Sequence, residues 1–518
     1  MEKVTRRAFI GGVGAILATG VMAMSGCAPK DDAKQAELSA TGSDQPEATV
    51  PDETLEFDIA VVGAGCSGLA ACVQAAESGA SVICIEAKSI AGGAAGGVEG
   101  LFAVNSQIQK DQNITVSMGE MIRTELEQNQ YRNSGLVLRD LVKASGEDID
   151  WLVSKGVRFG KVDNYVGFHP IFHWFETGTG AESYIVPMNE AAVSEGVEFL
   201  FDTHADELIC DEDGSVVGLF ATKTDGTVVQ VNARAVILAT GGYAERLDLL
   251  AEFGYTEENC IPTTMGCDGS GHDMAIAVGG ASNTSNMGML GGTTVPDLPA
   301  FFEGGYFCSV MNSLANIPWV LWVNERGERF VNEDLSLANH MITANPIRMC
   351  KQAFILMDEA MMNDYVAGDA QGLKELEDGQ AKGIIFKASN WKDLASSIGA
   401  DAEILSETLE SYNGCCEAGD DSDFGKASEF MRPLAMEGTV YAVEIKSSLG
   451  KTMGSLKTDR NFNVVDEQAE PIAGLYAVGV EGAMIWANVY TMNISGSCGA
   501  HNIYSGRTAV LHAVETRL

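Results

Sequence analysis

A glycine-rich motif near the start of the chain, Gly-x-Gly-x-x-Gly at residues 63–68, limits most strongly what this sequence can fold into. It follows a short β-branched run at residues 57–62 and precedes a helical stretch at residues 69–77. A second apolar run at residues 81–85 ends at Glu86. Strand, glycine loop, helix, strand and acid in this order predict a βαβ dinucleotide-binding unit. In such a unit the helix amides hold a pyrophosphate, and we expect Glu86 to bind the adenosine ribose hydroxyls.

Composition and charge narrow the class of protein. The 518 residues are 46% hydrophobic and include 58 glycines, which is typical of an α/β enzyme with many tight turns. The net charge of −39 argues strongly against a nucleic-acid partner, because a phosphate backbone requires clustered lysine and arginine. The 12 cysteines include neither a Cys-x-x-Cys pair nor a Cys-x-x-Cys-His haem site, so we expect no metal. An iron–sulfur cluster built from scattered cysteines is the alternative.

Residues 1–27 have the features of an export signal. Arg6 and Arg7 match the twin-arginine pattern, and the apolar stretch at residues 9–24 is too short and too weakly apolar to span a membrane. A lipobox-like sequence ends at Cys27, whose sulfur would carry a lipid. We therefore expect export by the twin-arginine route and an extracytoplasmic protein held at the cell membrane through that lipid alone. A soluble export signal, cleaved or retained, is the alternative.

The rest of the chain predicts a flexible tether followed by a discontinuous domain. The tether is rich in Ala, Asp, Glu, Ser and Thr. Glycine-rich segments typical of cofactor sites recur beyond it at residues 240–242, 269–271 and 495–499. The simplest architecture is an α/β fold in which an α+β capping domain is inserted into a Rossmann-like domain. The predicted boundaries are 1–27 for the signal, 28–55 for the tether, 56–300 and 442–518 for the two parts of the Rossmann-like domain, and 301–441 for the cap.

Six segments, in this order, resemble the fumarate reductase and succinate dehydrogenase flavoprotein superfamily, which includes flavocytochrome c, urocanate reductase and ketosteroid dehydrogenase. The segments are residues 63–68 with Glu86, 239–242, 269–271, 323–333, 452–454 and 474–479. The resemblance covers almost all of residues 56–510 and implies an FAD-binding domain with an inserted cap. It also implies an FAD-dependent oxidoreductase acting on CH–CH or C=C groups, in a subgroup of reductases exported by the twin-arginine route.

The same resemblance assigns a set of residues to the FAD. Glycines at residues 92–97 would let the backbone approach the isoalloxazine ring. The helix beginning near Cys498 would direct its positive end at the N1–O2 edge of the flavin and stabilise the anionic reduced form. The residues implied to bind the cofactor are Gly63, Ala64, Gly65, Ser67, Gly68, Glu86, Ala87, Gly93, Ala94, Gly97, Ala205, Thr240, Gly241, Ser270, Glu481, Cys498 and Gly499.

The substrate half of the site departs from the family. The family's proton-donating arginine falls at Leu337, and the arginine that binds the substrate carboxylate falls at Asn493. A family histidine falls at Gly450, and a further arginine falls near Asn316. A buried dicarboxylate needs paired positive charges, so these losses argue against fumarate as the substrate. We expect a larger organic molecule that is neutral or singly charged.

Four residues are candidates for the catalytic chemistry. Tyr490 lies three residues before the lost arginine, and a phenol can donate a proton or polarise a carbonyl. Asn493 could hydrogen-bond a carbonyl, and Lys451 could bind a carboxylate or contact the flavin. His173 occupies a segment that approaches the flavin in the family, and His340 in the cap is a second histidine that could act as the acid.

Large apolar side chains are expected to form the substrate pocket, with at least half of them serving only the core. They are Met287, Met289, Leu290, Phe301, Phe302, Tyr306, Trp319 and Trp322. Arg329 and Glu333 are interpreted as structural residues of the cap.

Together these features predict an exported FAD-dependent reductase. A hydride from flavin N5 would reduce an activated C=C bond of a small unsaturated organic molecule, and a proton donor would complete the reaction. The chain has no haem motif, so the electrons would come from a separate respiratory protein, such as a membrane quinol-oxidising protein or a multihaem cytochrome. The alternatives are a dehydrogenase of the ketosteroid type and a non-catalytic flavin-binding lipoprotein.

Overall fold

The structure, a computed structural model, describes residues 49–165, 167, 169–263, 266–298 and 309–518. The predicted signal, its Cys27 and residues 28–48 of the tether lie outside the described residues. In chain order the strands are β1 (Glu53–Val62), β2 (Val82–Ile85), β3 (Gly100–Phe102), β4 (Phe159–Asp163), β5 (Phe172–Phe175), β6 (Glu198–Leu200), β7 (Thr203–Cys210), β8 (Val216–Lys223), β9 (Val228–Leu238), β10 (Cys260–Pro262), β11 (Gly288–Thr294), β12 (Leu321–Asn324), β13 (Ala353–Asp358), β14 (Ile385–Ala388), β15 (Val440–Met453), β16 (Asn463–Val465) and β17 (Pro471–Ala477).

Helices cover and connect these strands. The α-helices are α1 (Cys66–Glu77), α2 (Gln107–Asp111), α3 (Met118–Gln128), α4 (Gly135–Ser154), α5 (Val186–Ser194), α6 (Leu247–Leu250), α7 (Ser270–Ala277), α8 (Leu335–Ala338), α9 (Ala344–Ile347), α10 (Glu359–Tyr365), α11 (Ala370–Lys382), α12 (Trp391–Ile398), α13 (Ala402–Ala418) and α14 (Ser497–Arg517). Short 3₁₀ helices occupy Gly93–Gly97, Ala251–Phe253, Thr284–Asn286, Met311–Asn316, His340–Thr343 and Ser428–Phe430, and one π-helical turn occupies Ala181–Ile185.

The first sheet confirms the predicted Rossmann-like α/β unit. Its strand order is β16-β17-β9-β1-β2-β6, with β8 also paired to β9 and β7 paired to β8. The pairings β17–β9, β9–β1, β1–β2 and β2–β6 are parallel, whereas β16 pairs antiparallel with β17 and β8 pairs antiparallel with β9. The residues of β1 from Ile59 to Val62 are all buried, as expected for a parallel strand covered on both faces. Helix α14 crosses α1 so closely that a Cβ on Gly506 would lie 2.5 Å from the carbonyl oxygen of Ser67.

The first sheet is discontinuous in sequence, as predicted. Its strands come from β1–β9 and then from β16 and β17, and a second sheet of order β10-β15-β13-β12 is inserted between these two sets. Strands β11 and β14 also pair with β15. The second sheet therefore extends beyond residues 301–441 at both ends, and the domain boundaries themselves remain predictions. The tether prediction was wrong for residues 53–55, because they belong to β1 and pair with β9.

A buried ion network supports the inserted region. Arg329 donates hydrogen bonds to both carboxylate oxygens of Glu333 and to both of Asp421, at 2.8–3.0 Å. Lys426 lies 3.2 Å from Glu333, and its side chain is fully buried. The arginine and glutamate are thus structural, as the sequence suggested. Among the described residues, no helix combines the length and apolar character needed to cross a membrane.

Candidate active site

A cavity of about 630 Å³ opens at the carboxyl ends of β1, β2 and β9. Ligands of open parallel sheets bind at this edge. The first residues of three helices line the cavity: Ser67 of α1, Ser270 of α7, and Cys498 and Gly499 of α14. Free backbone N–H groups and the positive end of the helix dipole lie at such termini, so the cavity suits an anionic ligand.

The three glycines of the motif have three separate functions. Gly63 has φ +101°, and a Cβ there would lie 2.6 Å from the carbonyl oxygen of Ala239, so this turn requires glycine. A Cβ on Gly68 would lie 1.8 Å from the carbonyl oxygen of Gly63, so Gly68 lets α1 pack against the loop. Gly65 lines the cavity, and a Cβ there would meet no protein atom within 4 Å. The space beside Gly65 is therefore left for a ligand.

Glu86 lines the cavity beside Ala87 and is itself buried. One carboxylate oxygen accepts a hydrogen bond from the backbone N–H of Ala64 at 2.7 Å, and the other accepts one from Lys88 N–H at 2.9 Å. A carboxylate has about four acceptor sites, so two remain for ligand hydroxyls. The geometry suits the ribose contact that the sequence predicted, and Ala205 lies at the same end of the cavity.

Glu481 does not line the cavity. It is fully buried, and its Oε2 accepts hydrogen bonds from the Thr240 hydroxyl at 2.6 Å and from the Gly242 N–H at 3.0 Å. Thr240 and Gly241 do line the cavity. The direct contact expected for Glu481 is thus corrected: the carboxylate holds the Thr-Gly-Gly turn in place from behind.

The structure brings together most of the residues predicted to bind the cofactor. Those lining the cavity are Gly63, Gly65, Ser67, Glu86, Ala87, Gly93, Ala94, Gly97, Ala205, Thr240, Gly241, Ser270, Cys498 and Gly499. Ala64 and Gly68, like Glu481, stand behind this wall and shape it. An elongated cavity with a carboxylate at one end, helix N-termini along it and an open space at Gly65 fits FAD.

Two of the proposed catalytic residues lie in the cavity wall. The Tyr490 hydroxyl accepts a hydrogen bond from the backbone N–H of Cys498 at 3.4 Å, and burial raises the pKa of the phenol well above its usual range. Lys451 lies on β15, and its Nζ lies 2.6 Å from the Sγ of Cys267. The lysine is therefore held by the thiol at the side of the cavity.

The prediction for His173 was wrong in its placement. The side chain is fully buried outside the cavity wall, where Nε2 lies 2.7 Å from the Ser106 hydroxyl and burial lowers the pKa to about 4. Side chains alternate along a strand, and its neighbour Phe172 on β5 lines the cavity, so His173 points to the opposite face. Asn493 is also absent from the described cavity wall. His340 is half-buried and also lies outside it, and its partial burial lowers the pKa of the imidazole.

Only part of the predicted apolar pocket lines the cavity. Leu290 does so, whereas Met287 and Met289 are buried near Tyr243 and Trp322 lies in the core of the inserted region. Trp319 stacks against Arg432, with the guanidinium carbon 4.2 Å from the ring centroid. The predicted residues Phe301, Phe302 and Tyr306 lie outside the described residues.

Several residues of the cavity wall received no role from the sequence pattern, among them Glu99, Tyr165, Met341, Met492 and Asn502, although the segment that begins at Glu99 resembles a family loop beside the isoalloxazine. Burial raises the pKa of the Glu99 carboxyl to about 7, and a hydrogen bond from Tyr165 opposes the rise. One signal was available: Glu99 is the single charged residue between Lys88 and Lys110, inside the glycine-rich loop. A lone acid in an otherwise uncharged loop is a feature that a fold alone does not require.

Comparison with known proteins agrees with this geometry. The sequence family described as "FAD binding domain" matches residues 58–488. A vinyl phenol reductase from Lactiplantibacillus plantarum is 32% identical over 479 residues, which cover 89% of this chain and 96% of that relative. A fumarate reductase (cytochrome) from Shewanella frigidimarina is 28% identical over 491 residues, which cover 93% of this chain and 81% of that relative. The open conformation of a flavocytochrome c3 fumarate reductase has the same fold, with a TM-score of 0.66 at 24% identity, covering 90% of this chain and 79% of that chain.

Proposed function

The chain belongs to the FAD binding domain family, and on this basis we propose that it is a reductase of activated carbon–carbon double bonds in neutral or singly charged organic molecules. Bound FAD would supply the hydride, which carries both electrons, for such a reaction. The protein holds the cofactor with the helix N-termini, Glu86 and the glycine loop. The polar residues proposed to face the substrate are Tyr490 and Lys451.

One observation carries this proposal: the described cavity wall contains no arginine. The basic side chains in it are Lys88, His204 and Lys451. Lys88 and His204 flank Glu86 and Ala205 at the end assigned to the adenosine, and Lys451 already contacts the thiol of Cys267. A dicarboxylate needs paired, charge-assisted hydrogen bonds to offset its desolvation, and these side chains do not provide them.

The wall around Tyr490 favours an apolar, aromatic molecule instead. The lining residues there are Tyr165, Phe172, Leu290, Met341 and Met492. Aromatic and methionine side chains pack well against flat unsaturated rings, and a few polar groups suffice to orient them. The vinyl phenol reductase that shares 32% of aligned residues is named for a substrate of this character. We therefore propose vinyl phenols and related enones or enoates with an aromatic ring as the first compounds to test.

Tyr490 is proposed to donate a hydrogen bond to the substrate. Its oxygen accepts the Cys498 N–H, and we propose that its own proton points into the cavity. Because burial raises its pKa, the phenol keeps that proton at neutral pH. A buried donor of this kind stabilises negative charge that develops on an activating group in the transition state.

Export and electron supply are further parts of the proposal. The Arg6–Arg7 pattern and Cys27 support twin-arginine export and a lipid anchor outside the cytoplasm. A separate membrane quinol-oxidising or multihaem cytochrome protein is proposed as the electron donor, and a related fumarate reductase is named as a cytochrome. Mass spectrometry of the exported protein tests the anchor: a lipid on an N-terminal Cys27 supports it, and an unmodified Cys27 overturns it.

The reaction is tested with purified holoprotein under anaerobic conditions and a reduced viologen as donor. Oxidation of the viologen that depends on a vinyl phenol or an aromatic enone, with the saturated compound as product, supports the proposed reductase. Failure of every unsaturated compound to oxidise the viologen would overturn it. Turnover only with a saturated ketone and an added oxidant would instead indicate a dehydrogenase.

A further inference from the structure

The cavity wall contains the Glu99 carboxyl, which has no ionic partner among the residues that the structure describes. Glu99 lies between the 3₁₀ helix Gly93–Gly97 and strand β3, and its neighbours Val98 and Gly100 line the same wall. Its backbone carbonyl accepts a hydrogen bond from Phe175 N–H at 2.8 Å, which fixes this stretch against β5. A Cβ on Gly100 would lie 2.3 Å from the carbonyl oxygen of His173, so the backbone here has little freedom to move.

The surroundings of Glu99 are apolar and aromatic. Tyr165 hydrogen-bonds to the carboxyl, and the Tyr165 ring packs 4.9 Å from that of Phe172 and 5.0 Å from that of Trp174. Burial outweighs this hydrogen bond and keeps the carboxyl protonated up to about pH 7. An acid with such a pKa is well matched to proton transfer at neutral pH.

The other titratable groups at this part of the cavity are poorer acids. Tyr490 is buried and Cys498 is half-buried, and burial raises the pKa of each group, that of the Cys498 thiol to about 12. Lys451 contacts the Cys267 thiol. Tyr165 is the hydrogen-bond partner of Glu99 itself. Among the acids that the structure describes in this part of the cavity wall, Glu99 is thus the one best suited to release a proton near pH 7 and to recover it from solvent.

We propose that Glu99 is the catalytic acid of this site and that Tyr165 is the residue that positions it, an inference that rests on the proposed reductase function. Bound FAD, when reduced, would supply a hydride to one carbon of the double bond, and the π electrons would pass to the other carbon. That carbon would take the proton of the Glu99 carboxyl. The substrate would gain two electrons and two hydrogens in all, and Glu99 would be left as a carboxylate that solvent reprotonates.

The kinetic test uses dithionite-reduced holoprotein and follows flavin reoxidation by the unsaturated substrate across pH. In the wild type the rate is expected to fall as pH rises through about 7, because the acid form of Glu99 is lost. Glu99→Gln is expected to slow reoxidation roughly 10²-fold or more and to abolish this pH dependence. Glu99→Asp should restore part of the rate. Reoxidation of Glu99→Gln at the wild-type rate would overturn the proposal.

A matched control and a second readout keep the proposal testable if Glu99→Gln does not fold. Glu176→Gln removes an exposed acid that directly follows strand β5 and pairs with Arg158, and it should leave the rate of flavin reoxidation unchanged. Infrared titration of Glu125→Gln holoprotein, which lacks the other carboxyl with a pKa raised to about 7, should detect without substrate a protonated carboxylic acid with a midpoint near pH 7. Tyr165→Phe should move that midpoint to higher pH, because the lost hydrogen bond favoured the carboxylate. A midpoint that does not move, or no such band, would overturn the assignment.

These results separate the inference from the proposed function. If no unsaturated compound reoxidises wild-type flavin, the reductase function fails, whatever the infrared titration gives. If wild type is reoxidised and Glu99→Gln is reoxidised equally fast, only the role of Glu99 fails.

Discussion

The hydroxyl oxygen of Tyr490 lies 3.4 Å from the backbone nitrogen of Cys498 and accepts its hydrogen bond at the first turn of α14. The phenol is therefore anchored to the same helix terminus that faces the FAD site. The Tyr490 ring also packs against Trp486, with the ring centroids 5.5 Å apart, and its hydroxyl proton is the one proposed to reach a substrate.

Tyr490→Phe is expected to slow substrate-dependent flavin reoxidation by roughly 10²–10³-fold, which is the usual cost of losing one donor to developing charge. Flavin content should stay that of the wild type, because the ring and its packing remain. Stopped-flow absorbance of the flavin measures the rate. Tyr131→Phe, at an exposed position, is the control and should have no effect. An unchanged rate in Tyr490→Phe would show that this hydroxyl does not serve the substrate.

Alanine substitutions at Gly65 and Gly68 should have different consequences. Gly65 has φ −81°, and its added methyl group meets only the space of the ligand, so Gly65→Ala should fold but bind FAD about tenfold more weakly or worse. Gly68→Ala places a methyl group 1.8 Å from a backbone oxygen and should destabilise even the flavin-free protein by about 1–3 kcal/mol or more. Flavin titration and urea unfolding measure the two effects. Gly119→Ala, where the added methyl group lies in open space on α3, is the control. Equal destabilisation of the flavin-free protein by Gly65→Ala and Gly68→Ala would contradict these separate roles.

Stability should depend on pH through Glu125. This carboxyl is fully buried, accepts hydrogen bonds from Asn129 and Thr491, and has a pKa raised to about 7 by burial. Its contribution to stability is present below its usual pKa of 4.5 and is lost as pH rises through about 7. Glu125→Gln should remove this loss, so the difference in free energy of unfolding between variant and wild type should grow by about 3 kcal/mol from pH 4.5 to 8. Glu127→Gln, at an exposed position on the same helix, is the control and should show no such trend. If the difference in free energy of unfolding between Glu125→Gln and wild type does not change with pH, burial does not raise the pKa of Glu125.

The buried ion network should matter for stability and not for chemistry. Arg329→Met leaves Asp421 without its bidentate partner, which should cost about 3–5 kcal/mol in urea unfolding. The folded fraction should keep the wild-type rate of flavin reoxidation, because Arg329 is outside the cavity wall. Arg326→Met breaks an exposed pair with Glu328 and should cost less than about 1 kcal/mol. Equal losses in the two variants would indicate that the network is not stabilising.

The cofactor half of the site was accessible from sequence because its signals are local. The glycine loop and Glu86 belong to one βαβ unit, whose spacing fixes both the turn and the acid at the end of the second strand. Glu481 is an example of what local signals leave open. A sequence does not distinguish an acid in the cavity wall from one that lies behind the wall and accepts a hydrogen bond from Thr240.

The substrate half was harder because it depends on tertiary contacts. His173 was assigned to the site although the alternation along β5 turns it away, and the sequence did not reveal that Phe172 takes the inward position. Glu99 was overlooked because its raised pKa arises from burial beside Tyr165, which lies 66 residues further along the chain. The absence of arginine at the aligned positions, by contrast, can be read directly from the sequence, and the proposal of a neutral or singly charged substrate rests on it.

The proposed preference for a neutral or singly charged substrate is tested most directly by comparing substrates of different charge. Anaerobic holoprotein reduced with dithionite is mixed with a vinyl phenol or with fumarate, and the return of oxidised flavin absorbance is followed. The vinyl phenol, or another neutral aromatic alkene, is expected to reoxidise the flavin at least about a hundredfold faster than fumarate. This ratio corresponds to a difference of about 2.7 kcal/mol between the two substrates. Reoxidation by fumarate at an equal or greater rate would contradict it.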